Sequence, residues 1–371
     1  MLSKFSVSNF KSFNSRFTLD FSKNSGYQFN SESIRNGIVN NAIIYGHNGS
    51  GKSNLGLAIF DIIQHLTDFE KNEGLYSNYL NALNGSKFAE FEYEFKFDNN
   101  VVKYNYKKTD NLAVVFEHLS INQKTVALID RSINNIATIK LKGTESLNKN
   151  ISNENLSLLK YIRNNSILVK NPENTLFQRF LDFVDGMLFF RSLDVNMYLG
   201  LETGTRDIQE EIIEKNKVKD LEKFLNEAQI ESTLTVIQSS FNKKILAFDF
   251  KGVKIPFYDA ASTGTRALTI LYFWLQKINL ENDVSFVFID EFDAYYHHSL
   301  AQSIVQQLKK TNIQFVLTTH NISIISNEIL RPDCYFFMNK DHIKSLAQRT
   351  NKELREAHNI EKMYKAGSFN G

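Results

Sequence analysis

The chain has one cysteine, three prolines and no long apolar run. Its single cysteine, Cys334, excludes an intrachain disulfide and fits a reducing compartment. The thiol reads as a small core residue. With so few prolines there is no Pro-rich segment, and no Gly/Ser linker separates the parts, so regular elements should dominate. No stretch approaches the about 18–20 apolar residues that a membrane-spanning helix needs. The N-terminal MLSKFSVSNFKSF also lacks an apolar signal core. These absences predict a cytoplasmic protein with no membrane partner. Charge of one sign is missing too: lysine plus arginine number 43 against 41 acidic residues, a formal net charge of +2. That balance excludes a global attraction to nucleic acid or anionic lipid, and any basic surface must be local.

What is present is aromatic bulk, with 31 phenylalanines and 15 tyrosines in 371 residues. A chain of this length buries the core of two or three domain-sized units. Residues 4–21 alternate apolar and polar in KFSVSNF and RFTLDF, the period of strands with one buried face. AIIY (42–45) is a short continuous apolar run, as in a strand covered on both sides, and SNLGLAIFDIIQHLTDF after it has helical spacing. FAEFEYEFKF and VVKYNYKK, parted by Asp98-Asn99-Asn100, predict an antiparallel hairpin. Further strands are expected in LAVVFEHLSI and TVALIDRS. From about 145 to 240 the sequence turns polar with helical spacing. Strand-like ILAFDFKGVKIPFYDA follows, then helix (RALTILYFWLQKI), strand (VSFVFID), helix (about 294–310) and strand (QFVLTTH). That alternation predicts a parallel sheet in an α/β domain.

Four sites carry chemistry. Gly46-His47-Asn48-Gly49-Ser50-Gly51-Lys52-Ser53 fits G-x-x-x-x-G-K-[ST] between a strand and a helix. There the backbone N–H groups wrap phosphates, Lys52 reaches the β and γ phosphates, and the Ser53 hydroxyl binds Mg²⁺. In VSFVFIDEFD an apolar strand ends on Asp290-Glu291. One carboxylate can hold Mg²⁺ and the other can activate a water. DAASTGTRALTIL opens a helix with Ser262, Gly264 and Thr265, which reads either as an anion site or as an ordinary helix cap. His320 follows the strand of FVLTTHN, a place where a lone histidine is commonly structural.

In this order the four sites resemble the ATP-binding-cassette class of ATPases, in its RecF-like, SMC-like and OLD-like branch. VSNFKSF (7–13) looks like the first strand of that branch. The tail HNIEKMYKAGSFNG is similar to the end of RloA/AbiL-type antiphage ATPases. The resemblance implies an ABC-type α/β head with a mixed sheet, an N-terminal antiparallel β lobe and a helical insert. It divides the chain into an N-terminal lobe (1–142), a mainly helical insert (143–250) and a C-terminal lobe (251–371). It places the signature motif at Ser262, Gly264 and Thr265, the switch histidine at His320, and the start of the inter-subunit loop at Asp293. Gly46, Asn48, Gly49, Ser50, Gly51, Lys52 and Ser53 would bind ATP, Ser53 and Asp290 the Mg²⁺, while Glu291, His320 and Lys52 act in hydrolysis. Gln64 and Gln123 are candidates for the Mg²⁺-sensing glutamine, and neither is assigned.

The class pairs the phosphate loop of one subunit with the signature of another. A homodimer with composite ATP sites is therefore implied, with higher oligomers open. The subfamily resemblance points to antiphage defence through a separately encoded nuclease, Toprim or toxin effector, with no nuclease site in this chain. The alternative is a DNA-repair ATPase that binds nucleic acid. Lys215, Lys219 and Lys223 recur every fourth residue and would form a basic stripe on one helix, although interleaved acids favour local ion pairs.

Overall fold

Alternating sequence at the N-terminus gives strands with one buried face. A computed structural model of the chain describes residues 1–69, 73–191, 197–201, 208–239, 241–280, 284–294, 297–311, 313–352 and 354–369. Strands β1 (Leu2–Ser8) and β2 (Phe17–Asp20) pair antiparallel. The small ribbon of β3 (Ile34–Arg35) and β4 (Ile38–Val39) leads into β5 (Asn41–Tyr45), whose five residues are all buried. Helices α1 (Lys52–Ile59) and α2 (Ile63–Leu66) follow where one continuous helix was expected. Between them the backbone tightens, with Asp61 N–H bonded to Ala58 O and Ile63 N–H to Phe60 O. The tightening accompanies an inward carboxylate: Asp61 is fully buried and accepts bonds from Tyr79, Tyr106 and Lys108.

Strands β6 (Ala89–Phe97), β7 (Asn100–Lys108), β8 (Val114–Ile121), β9 (Lys124–Asp130) and β10 (Thr138–Ile139) complete the first lobe. Phe97 pairs with Asn100, so the β6–β7 loop has two residues, and Asp98 takes the positive φ (54°) that such a turn requires. The order β10-β9-β8-β7-β6-β1-β2 is antiparallel throughout.

Residues 143–250 hold the expected helices and additional strands. Helices α3 (Leu158–Asn165) and α4 (Pro172–Asp185) precede β11 (Met187–Arg191) and β12 (Met197–Gly200). Next come α5 (Ile208–Glu214), α6 (Val218–Glu227), β13 (Leu234–Gln238) and β14 (Lys244–Phe250). The proposed lysine stripe does not form on one helix. The chain turns at Asn216 (φ 54°), leaving Lys215 outside α6. Lys215 pairs with Glu211 at 2.7 Å, Lys219 with Glu222 at 2.8 Å and Lys223 with Glu227 at 3.9 Å.

The last third alternates as expected: β15 (Val253–Pro256), α7 (Phe257–Ala260), α8 (Thr263–Leu280), β16 (Phe286–Ile289), α9 (His298–Lys309) and β17 (Gln314–Thr319). Strands β18 (Tyr335–Met338) and β19 (Ile343–Ser345) and helix α10 (Ile360–Lys365) end it. The central sheet has the order β12-β11-β16-β17-β5-β18-β19. Its inner five strands are parallel and its two edges antiparallel, so it is a mixed sheet. The unexpected member is β11, which runs beside β16.

Helix α1 packs on this sheet through Gly56, where a Cβ would come within 2.7 Å of the Phe189 ring and 2.9 Å of Phe288. From the first lobe, the Tyr93 hydroxyl donates to Ala58 O (2.9 Å), so α1 touches both sheets. The lobes are also joined at Gln314, whose buried side chain accepts from Leu2 N–H and donates to Leu2 O, each at 2.8 Å. Cys334 is buried, and burial pushes its thiol pKa well up. No helix among the described residues is long and apolar enough to cross a membrane.

Candidate functional site

Because β5, β16 and β17 are parallel neighbours, the segments leaving their C-terminal ends meet at one rim of the sheet. These are residues 46–53, Asp290–Glu291 and His320. The loop after β5 begins with the Gly46 N–H donating to Thr319 O at 3.3 Å. Asn48 and Gly49 stand exposed at its apex, Gly49 with φ 76°. Gly51 caps α1 with φ 99°, and a Cβ there would lie 2.9 Å from Ser12 Oγ. Only glycine meets both demands.

Lys52 is buried in the first turn of α1, and its Nζ donates to Gly46 O (2.7 Å) and His47 O (3.4 Å). An ammonium has three donors, so one is left for a ligand. Burial holds the lysine pKa below its ordinary range, against the pull of Asp290, Glu291 and Asp293. All three carboxylates thus act on the loop lysine. Ser53 is half-buried beside it. Ser50 Oγ is buried with no hydrogen-bond partner, an orphaned polar atom inside the loop.

The acids are fixed from the neighbouring strand. Asp290 is 2% exposed, and its Oδ1 accepts from the Thr318 hydroxyl at 2.5 Å. Glu291 is half-buried, carries a positive φ (45°), and donates its backbone N–H to the same hydroxyl oxygen at 2.8 Å. Such a backbone persists in a non-glycine residue only where its surroundings hold it. Asp293 accepts at Oδ2 from the Thr319 hydroxyl (2.9 Å), and its Oδ1 is buried without a partner. Burial raises the Asp293 pKa above the usual carboxylate range, opposed by Thr319 and the charge of His320. His320 itself is exposed at the end of β17.

Ser262, Gly264 and Thr265 open α8 on a different part of the chain. Ser262 is exposed; its hydroxyl accepts from Thr265 N–H at 3.2 Å and meets Thr265 Oγ1 at 2.9 Å. Gly264 is half-buried and Thr265 buried. The cap is therefore present, and Ser262 faces solvent. Gln64 lies buried in α2 and Gln123 is exposed in the β8–β9 turn. Sequence reasoning missed Thr318 and Thr319, which hold the acid pair and the loop. At a strand end a threonine shows only ordinary β propensity.

Five inner parallel strands, an antiparallel first lobe and a glycine loop at the same rim as strand-end carboxylates make this an α/β fold with a candidate phosphate-binding rim. The chain belongs to the family described as "AAA domain, putative AbiEii toxin, Type IV TA system", whose model matches residues 42–326. Similar solved structures include an SMC head bound to the C-terminal winged-helix domain of ScpA, at 17% identity over 93% of this chain and 96% of that one, TM-score 0.43. The SMC head domain from Thermotoga maritima is 15% identical over 93% and 98%, TM-score 0.40. RecF, the recombination mediator protein, is 16% identical over 93% and 98%, TM-score 0.38. No curated protein matches the chain.

Proposed function

We propose that the chain is a Mg²⁺-dependent ATPase whose nucleotide-driven homodimerisation controls a separately encoded effector in antiphage defence. The observation that carries the ATPase reading is the buried Lys52 with a spare donor, under the joint pull of Asp290, Glu291 and Asp293. A buried cation at a glycine loop, with carboxylates near enough to act on its charge, suits a phosphate chain with its metal. The orphaned Ser50 hydroxyl supports the same fit.

In this reading residues 46–53 wrap the phosphates, with Lys52 on the β and γ groups. Ser53 and Asp290 would hold Mg²⁺, which when bound would neutralise phosphate charge. Glu291 accepts the proton of the attacking water, and His320 contacts the γ-phosphate from the exposed end of β17. Ser262, Gly264 and Thr265 close on the phosphate bound by a partner copy, so each site is composite. Hydrolysis removes those contacts and releases the dimer. Residues 1–142 and 251–371 supply most of the two lobes, β11 and β12 complete the central sheet, and the remainder of 143–250 docks the trigger or the effector. The defence role is supported by the family description, which names a toxin system. Any nuclease step belongs to the effector. Nucleic-acid binding is less favoured, because Lys215, Lys219 and Lys223 are each paired with an acid.

Subunit mixing tests the proposal. Lys52→Ala disables the loop, and Gly264→Asp puts a negative charge beside the partner's phosphate while suiting the first turn of a helix. Each variant alone should lack ATPase activity. A mixed dimer contains one site with an intact loop and an intact signature, so mixing should restore hydrolysis. Mixing that restores nothing, with both variants folded, defeats the composite site.

A further inference from the structure

The strand end that separates the phosphate loop from the acids carries two adjacent, fully buried threonines, Thr318 and Thr319. Neither is a candidate ligand in the reading above, yet six hydrogen bonds meet at them, five of these from the loop after β5 and the acid segment 290–293. The Thr318 hydroxyl donates to Asp290 Oδ1 and accepts from Glu291 N–H. Its carbonyl accepts from Phe292 N–H at 3.1 Å. The Thr319 carbonyl accepts from Gly46 N–H, and its hydroxyl donates to Asp293 and accepts from Asn321 N–H at 2.8 Å.

One hydroxyl thus sets both residues of the acid pair. Donation to Oδ1 takes up one carboxylate oxygen of Asp290 and restricts the rotation of the carboxylate, so the second oxygen is the one that could serve a metal. Acceptance from Glu291 N–H holds the left-handed backbone at that residue, and so the direction in which its side chain leaves the strand. A serine, threonine or cysteine supplies a group that both donates and accepts at this distance from the Cα, whereas valine fills the same volume and does neither.

We propose that Thr318 is a positioning residue for metal binding and hydrolysis, acting through Asp290 and Glu291 without touching substrate. The inference rests on the ATPase reading above. Hydrogen-bond partners of metal-ligating groups commonly cost about 10- to 100-fold in metal affinity or activity when removed.

The test compares Thr318→Val, which keeps the volume, with Thr318→Ser, which keeps the hydroxyl. ATP affinity is measured by calorimetry in EDTA and in Mg²⁺, and kcat at saturating Mg·ATP. Thr318→Val should bind ATP in EDTA as the parent does. It should lose about tenfold of the tightening that Mg²⁺ produces, with KM for Mg·ATP rising to match, and about 10- to 100-fold of kcat measured at saturating Mg·ATP. Thr318→Ser should stay within about twofold of the parent. A packing role predicts the opposite order, with Thr318→Ser the worse variant, and that result overturns the proposal. Parental Mg²⁺ response and kcat in Thr318→Val overturn it as well. If Thr318→Val does not fold, Thr318→Ala replaces it and is set against Thr318→Ser, from which it differs only by the hydroxyl: a loss in Thr318→Ala relative to Thr318→Ser supports the proposal, and equal behaviour of the two overturns it. A parent protein that neither binds nor hydrolyses ATP would instead defeat the ATPase reading itself, taking this inference with it.

Discussion

The ring of Tyr364 in α10 stacks on that of Phe337 in β18, with centroids 4.8 Å apart and planes 25° from parallel. It also meets the ring of Tyr45 at 5.6 Å, edge to face. Tyr45 is the last residue of β5, directly before the glycine loop of residues 46–53, and its ring in turn lies 5.8 Å from that of His47 inside the loop. Asn359 caps the short helix by accepting from Lys362 N–H, and Glu361 pairs with Lys365 at 2.6 Å. The tail motif is therefore a clamp on the strand that delivers the loop. Tyr364→Ala is expected to cost about 1–2 kcal/mol, given two aromatic contacts of ordinary strength. It should also weaken ATP binding. Urea unfolding and nucleotide titration check both, and a variant that unfolds with the parent denies the clamp.

Lys108 and Asp61 form an ion pair with both side chains fully buried, Nζ to Oδ2 3.0 Å. Asp61 is further held by the hydroxyls of Tyr79 (2.8 Å) and Tyr106 (2.9 Å). Lys108→Met would leave the carboxylate buried with its counter-charge gone. A loss of about 3–5 kcal/mol is expected, because the penalty is that of an uncompensated charge. Replacing both partners together, with Asp61→Asn added, should recover part of it. Denaturant midpoints of the two variants give the comparison.

Glu291→Gln keeps the shape of the side chain and the left-handed backbone but cannot accept the water proton. The expected outcome is near-parental ATP binding, hydrolysis slowed at least about 100-fold, and an ATP-dependent dimer that persists. Light scattering with and without ATP, beside a phosphate-release assay, measures this. Parental turnover would remove Glu291 from the role of base.

Much of this architecture is legible in residue order because its causes are local. Glycines at 46, 49 and 51 followed by Lys-Ser announce a wrapped loop, and alternation along β6 and β7 announces a hairpin. What was not legible depends on partners distant in sequence. MLFF of β11 is a short apolar run after an amphipathic helix, and such a run cannot be told from more helix until β16 lies beside it. The burial of Asp61 within SNLGLAIFDIIQHLTDF depends on Tyr79, Tyr106 and Lys108, which lie 18, 45 and 47 residues further along the chain. The lysine spacing was read on a continuous helix, and the left-handed turn at Asn216 breaks that register.

The position of β5 sets the order in which the molecule can be made. Its hydrogen-bonded neighbours are β17 and β18, and the nearer of these begins at Gln314. As the chain leaves the ribosome, β5 therefore waits with both edges bare until residues 314–319 have been synthesised. The N-terminal sheet, built from neighbours in sequence apart from the return of β6 to β1, can form during that wait; the proposed nucleotide site cannot. Bare strand edges of this kind invite pairing with other chains. A prematurely terminated product lacking β17 and β18 would thus be more than inactive: it would present an apolar strand with nothing to pair with, a substrate for chaperones or for aggregation.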